Sequence, residues 1–98
     1  MKTQKRRGRQ AHAPLFPFRW QRARRLLKKS NRTQVELASH LNHSDNWVYR
    51  ILSGRQQTMV YDDIIGFCRF VGCKPEAILD DSRMSPEDRR LWRREANK

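Results

Sequence analysis

What this 98-residue chain lacks narrows its chemistry before anything it contains does. It has no run of about 18 apolar residues, so nothing in it reads as a membrane-spanning helix. The only apolar run near the basic N-terminus, Ala13 to Phe18, is short and interrupted by Pro14 and Pro17, which excludes it as the apolar core of a signal peptide. Cysteine is scarce: Cys68 and Cys73 stand five apart, a spacing that fits neither a CxxC pair nor a zinc finger, and no histidine pair lies nearby. Both are expected to be reduced thiols of a cytosolic protein, with Cys68 on the inner face of a helix. With four glycines in all there is no phosphate-cradling loop. His40 and His43 have neither a nucleophile nor a metal-spaced partner beside them and are expected to face solvent. No catalytic residue, metal or cofactor is expected, and the chain is not read as an enzyme.

Acid is also missing, but only from one end. Residues 1–29 hold 11 of the 22 Lys and Arg and none of the 10 Asp and Glu, so +11 of the net charge of +12 lies there. Such an excess calls for a polyanionic partner, a nucleic acid or an acidic membrane surface. The apolar fraction of 37 % is low for a globular chain, so part of it should lie outside the core. Residues 1–15 read as a disordered basic arm, in which Lys5, Arg6, Arg7 and Arg9 could follow DNA and enter a minor groove. Pro14 to Pro17 reads as a stiff link, with Phe16 and Phe18 at the edge of the core.

A helix is expected from Phe18 to Ser30, with Trp20, Ala23, Leu26 and Leu27 inward and Arg22, Arg24, Arg25, Lys28 and Lys29 outward. Thr33 to Arg55 then carries two short helical patterns. Thr33 offers an N-cap to the first, about residues 34–41, which has Val35, Leu37, Ala38 and Leu41 inward. Asn42 and His43 break the pattern, and Ser44 offers an N-cap to a second helix, about residues 45–52, with Val48, Ile51 and Leu52 inward. Gly54 stands where a left-handed residue ends a helix. Two helices of about two turns joined by a tight turn have the dimensions of a helix-turn-helix, whose second helix enters the DNA major groove. Arg55 to Thr58 is a loop, a further helix is expected from Met59 to Val71 with Tyr61, Ile64, Ile65, Cys68 and Val71 inward, ended by Gly72, and Lys74-Pro75-Glu76 starts a short helix. Asp80 to Met84 reads as a linker. Ser85, Pro86, Glu87 and Asp88 start a last helix running to about Ala96, whose only bulky apolar residues are Leu91 and Trp92; it reads as a tail, with a partner contact as the alternative.

From about Arg24 to Leu79 the chain resembles the lambda repressor/Cro-like helix-turn-helix family, often called the XRE family. The matching residues are Thr33-Gln34, Leu37-Ala38, Leu41, Ser44, Val48, Ile51 and Gly54-Arg55, then Val71-Gly72-Cys73 and Glu76-Ala77-Ile78-Leu79. The resemblance implies an all-α, compact five-helix domain over residues 16–81, with the basic arm before it and an extra C-terminal helix in residues 82–98. Where the family often pairs an Arg on its first helix with a Glu late in its third, this chain has Leu27 and Leu52, a joint replacement that keeps the core satisfied. Arg32 and His43 stand where the family prefers apolar residues.

Carried over by position, the resemblance implies base reading by Ser44, Asp45, Asn46, Trp47 and Arg50, and backbone contacts by Gln34, Tyr49, Arg55, Gln56 and Thr58. Arg50 could hold guanine through O6 and N7, and Asn46 could pair with adenine. Trp47 replaces a small polar residue and either meets a thymine methyl or folds back onto the first helix of the pair. The function implied is a sequence-specific double-stranded-DNA-binding regulator, a repressor that binds a palindromic operator as a homodimer. It would work on the nucleoid in the cytoplasm of a prokaryotic or phage-infected cell, with no membrane partner. The alternative is an antitoxin-like or accessory module that holds a protein partner through Ser85 to Ala96, and a third reading is an RNA or nucleoid binder that uses only its arm.

Overall fold

The structure, a computed structural model, describes residues 13–98. The elements in order are β1 (Leu15–Pro17), α1 (Trp20–Lys29), α2 (Gln34–Leu41), α3 (Asp45–Ser53), β2 (Thr58–Val60), α4 (Tyr61–Val71) and α5 (Pro86–Ala96). Single 3-10 turns at Pro75–Ala77 and Asp81–Arg83 join α4 to α5. The all-α expectation holds for everything except a ribbon of three residue pairs.

That ribbon corrects two readings. Residues 14–17 are not a stiff link. Leu15, Phe16 and Pro17 pair antiparallel with Val60, Met59 and Thr58. The segment beyond is also stitched: Arg19 N–H donates to Ile78 O at 2.7 Å, and Asp80 N–H to Pro17 O at 3.1 Å. Backbone groups that the sequence would hand to helix starts are used in these pairs instead. Accordingly α1 begins at Trp20 rather than Phe18, and α4 at Tyr61 rather than Met59. Phe16, Phe18 and Met59 lie at the centre of the core, not at its edge.

The helix-turn-helix is built by local chemistry. Thr33 and Glu36 form a reciprocal capping box, Thr33 N–H donating to Glu36 Oε1 at 2.8 Å and Glu36 N–H to Thr33 Oγ1 at 3.1 Å. Asn42 takes a left-handed φ of 59° at the end of α2, and His43 N–H reaches back to Ala38 O at 2.9 Å, closing that end. Ser44 Oγ accepts from Trp47 N–H at 3.1 Å and starts α3. Gly54 ends α3 at φ 86°, and a Cβ there would stand 2.7 Å from Trp20 Cε2, so α1 lies directly on this turn.

Ala23 and Leu27 of α1, Leu37 and Ala38 of α2, and Val48, Ile51 and Leu52 of α3 are buried together. The joint substitution at Leu27 and Leu52 is thus an apolar contact region. Val35, expected inward, is 63 % exposed. It sits in the first turn of α2, and Leu37 and Ala38 take the core positions. In α4 the buried face is Ile64, Phe67, Cys68 and Phe70; Tyr61, Ile65 and Val71 are only half-buried.

The short helix expected after Lys74 is a 3-10 turn, so the fifth α-helix is the C-terminal one. It is more than a tail. Trp92 meets Phe16 edge-on, with ring centroids 5.1 Å apart, and Tyr61 at 4.7 Å. Ser85 and Asp88 form a second capping box at its start. The expected linker before it buries Asp80 and Met84.

Candidate nucleic-acid interface

The outer face of α3 carries Asp45, Asn46 and Tyr49, all exposed, with the capping Ser44 exposed before them and Arg50 half-buried beside them. These positions recur at helical spacing, opposite Val48, Ile51 and Leu52. Trp47 does not belong to that face. Its ring lies parallel to His43, with centroids 3.6 Å apart and planes 5° off, and only 9 % of the residue is exposed. Its ring packs inward, against the turn between α2 and α3. His43 in turn places Nε2 3.0 Å from Asp63 Oδ2 of α4, so it is a half-buried strut rather than a solvent-facing side chain. His40, at the end of α2, is exposed and leans on Phe70, at 5.0 Å between centroids.

Gln34, first residue of α2, is exposed and lines a cleft of about 290 Å³ with Arg24 and Lys28 of α1 and Arg32. Arg32 is steadied by donating to Phe70 O at 3.1 Å while its guanidinium lies 3.9 Å over that ring. The fold therefore sets Gln34 beside three cations. The Thr33 backbone N–H bonded to Glu36, reinforced by the Thr33 hydroxyl, holds the Glu36 carboxyl below its ordinary 4.5.

Beyond α3, Arg55 is exposed with its guanidinium 5.7 Å from the centre of the Tyr49 ring. Gln56 is half-buried and donates from Nε2 to Thr58 O at 3.2 Å. Thr58 is half-buried within β2, paired with Pro17. The sequence reading passed over Gln57, which donates to Gly54 O at 3.0 Å and accepts from Arg83 at 2.8 Å. No local signal marks it, because its partners come from the turn before it and from a segment 26 residues later. Lys5, Arg6, Arg7 and Arg9 of the arm lie outside the described residues.

Cys68 is buried and Cys73 half-buried, both as free thiols. Burial, reinforced by the Cys73 side chain, pushes the Cys68 thiol well above its usual value and keeps it protonated. Among the described residues no cluster of His, Cys, Asp and Glu has metal-binding geometry, and no helix is long and apolar enough to cross a membrane.

A compact trihelical core with a capped turn, a polar outer face on its second short helix and cations along its flank is the architecture of a DNA-reading module. A family model described as a helix-turn-helix domain matches residues 18–80, well over half the chain. The chain belongs to this helix-turn-helix family. The family is related to the XRE-type DNA-binding domains and is typically non-enzymatic. The matched span starts at Phe18 and closes at Asp80, so it leaves α5 outside. Comparison with curated proteins and with solved structures gave no match.

Proposed function

We propose that this helix-turn-helix protein is a sequence-specific double-stranded-DNA-binding transcriptional regulator. It acts as a repressor, binding a palindromic operator as a homodimer on the nucleoid of a prokaryotic or phage-infected cell. The observation that carries the reading is the outer face of α3, where Ser44, Asp45, Asn46 and Tyr49 are exposed with Arg50 half-buried beside them, while Trp47, Val48, Ile51 and Leu52 are sunk in the core. In this reading Arg50 and Asn46 read bases, Asp45 accepts from cytosine, and Gln34, Tyr49, Arg55, Gln56 and Thr58 hold the backbone. Trp47 keeps α3 at its angle through His43, and its ring reads no base. A single module of this size reads only a few base pairs, which is why two copies on paired half-sites about one helical turn apart are expected.

Selection of bound sites from random duplexes tests this, followed by affinity measurements at fixed salt. Arg50→Ala should relax preference at one base pair per half-site, a loss of about 1–3 kcal/mol of discrimination. Removal of residues 1–13 should weaken all duplexes alike and flatten the salt dependence. Equal affinity of the intact protein for every sequence would overturn the reading. The antitoxin-like alternative has less to work with, because Leu91 and Trp92 of α5 already pack on the core. Only the exposed Arg89, Arg90, Arg93 and Arg94 remain for an acidic partner.

A further inference from the structure

A second basic cleft, away from Gln34, lies at the start of α1. It has a volume of about 290 Å³ and gathers Arg19, Arg22, Arg25 and Arg83 around Asp80 and Gln57. These come from four places in the chain: the residue before α1, α1 itself, the loop after α3, and the last 3-10 turn with the Asp80 that precedes it. Four cations against one acid leave an excess of three positive charges in one concavity. Gathering like charges opposes folding unless an anion occupies the space between them.

The cleft is also built rather than loosely assembled. Asp80 is 8 % exposed, accepts from Ser82 Oγ at 2.6 Å, and lies 3.7 Å from the Arg19 guanidinium and 3.6 Å from that of Arg83. Arg19 further donates from Nε to Leu79 O at 3.3 Å, and Arg83 to Gln57 Oε1 at 2.8 Å. Two guanidiniums are thereby fixed in position with donors to spare. Arg22 reaches only a carbonyl, Ala77 O at 3.4 Å, and among the described residues neither Arg22 nor Arg25 forms an ion pair. No acid lies in the first turn of α1 to compete.

The position of the cleft identifies the anion. Gln57 is bonded to Gly54 O at 3.0 Å, and Gly54 packs against Trp20, so the cleft adjoins the C-terminal end of α3. A duplex that receives α3 in its major groove carries a phosphate strand past each end of that helix. Guanidinium forks match phosphate oxygens in charge and in planar geometry. We propose that this arginine cleft seats one backbone phosphate of bound double-stranded DNA beside the C-terminal end of α3. The inference rests on the DNA-reading function above.

Arg25→Gln is the informative variant, since the side chain is exposed and makes no ion pair, and a thermal melt checks that the fold is kept. On the selected duplex it should bind about tenfold more weakly, with the salt slope reduced by about one and base preference unchanged. Duplexes carrying a neutral methylphosphonate at one position at a time locate the contact. The intact protein should lose affinity at one flanking phosphate where Arg25→Gln loses none. Unchanged affinity and slope in the variant, or the same methylphosphonate profile as the intact protein, overturns the proposal. So does an effect of Arg25→Gln on binding of inorganic phosphate alone with duplex binding untouched, which would assign the cleft to a free anion. If the intact protein binds all sequences equally, base reading fails, while the slope and the methylphosphonate profile still decide this seat.

Discussion

Helices α1 and α3 meet where Gly54 packs on Trp20, are nearly equal in length, and differ in charge and in capping. In α1, five of ten residues are cations, none is an acid, and no side chain caps its start. In α3, one cation and one acid cancel, Ser44 caps one end and Gly54 closes the other. Caps at both ends and burial of Trp47, Val48, Ile51 and Leu52 hold α3 at a defined angle, as the proposed base reading would require. Burial of Ala23 and Leu27 holds α1, and its outer face presents five cations, which in the proposed reading supply the attraction to phosphate. Attraction to phosphate is long-ranged and tolerant of geometry, whereas base reading is short-ranged and is not. In the proposed reading, dividing the two between helices would let each be optimised without compromising the other.

The comparison breaks most completely where the helices touch. Gly54→Ala combines a left-handed φ of 86° with a Cβ 2.7 Å from the half-buried ring of Trp20, the first residue of α1. Strain and overpacking add, and a loss of about 3 kcal/mol in urea-unfolding free energy is expected, with DNA binding of both kinds weakened together. Gly66→Ala is the control. Its added Cβ would meet only the tip of Leu41, 2.6 Å away, and φ is not left-handed there, so a much smaller loss is expected. Equal losses in the two variants would show that the Trp20 contact does not bind α1 to α3.

A narrower test acts on α3 alone. His43→Ala removes the ring stacked on Trp47 at 3.6 Å and the contact to Asp63 at 3.0 Å. About 1 kcal/mol of stability should be lost. The more telling readout is DNA binding: discrimination between the selected and random duplexes should shrink while the salt slope stays as in the intact protein. A changed slope with discrimination intact would reverse the roles assigned to the two helices.

The features legible in the sequence were those decided within a turn or two of chain. Thr33, Ser44 and Ser85 announce helix starts because their hydroxyls serve N–H groups three residues on, and Gly54 and Gly72 announce ends by their freedom at positive φ. The ribbon was not legible. Leu15–Pro17 ends in one strand-averse proline, Pro17, and follows another, Pro14, and its partner strand lies more than 40 residues away. In α4, Tyr61 to Val71 is apolar around most of its circumference, so periodicity could not choose Phe67 and Phe70 over Ile65 and Val71. Val35 erred for a related reason, since eight residues give too little pattern to fix which apolar side chain faces in. At the interface, the α3 face could be read because helical spacing fixes it. The environment of Trp47 depends on Asp63, and the arginine cleft on Gln57, Asp80 and Arg83, which only tertiary packing assembles.

The smallest expected effect concerns how α2 is presented to the cations of α1. Glu36 closes the capping box as a carboxylate, and the Thr33 N–H holds its pKa below 4.5. A carboxyl depressed on folding contributes stability that is fully present above its unfolded value and is lost as pH falls through the folded one. The box should therefore be intact at neutral pH and weaken below 4.5, taking with it the orientation of Gln34 beside Arg24, Lys28 and Arg32. Glu36→Gln keeps an acceptor for the Thr33 N–H but has no proton to gain. Thermal melts across the acid range should show the intact protein losing its small advantage over the variant as the carboxylate protonates. Parallel curves at all pH values would mean that Glu36 carries no linked stability and that Thr33 alone starts the helix.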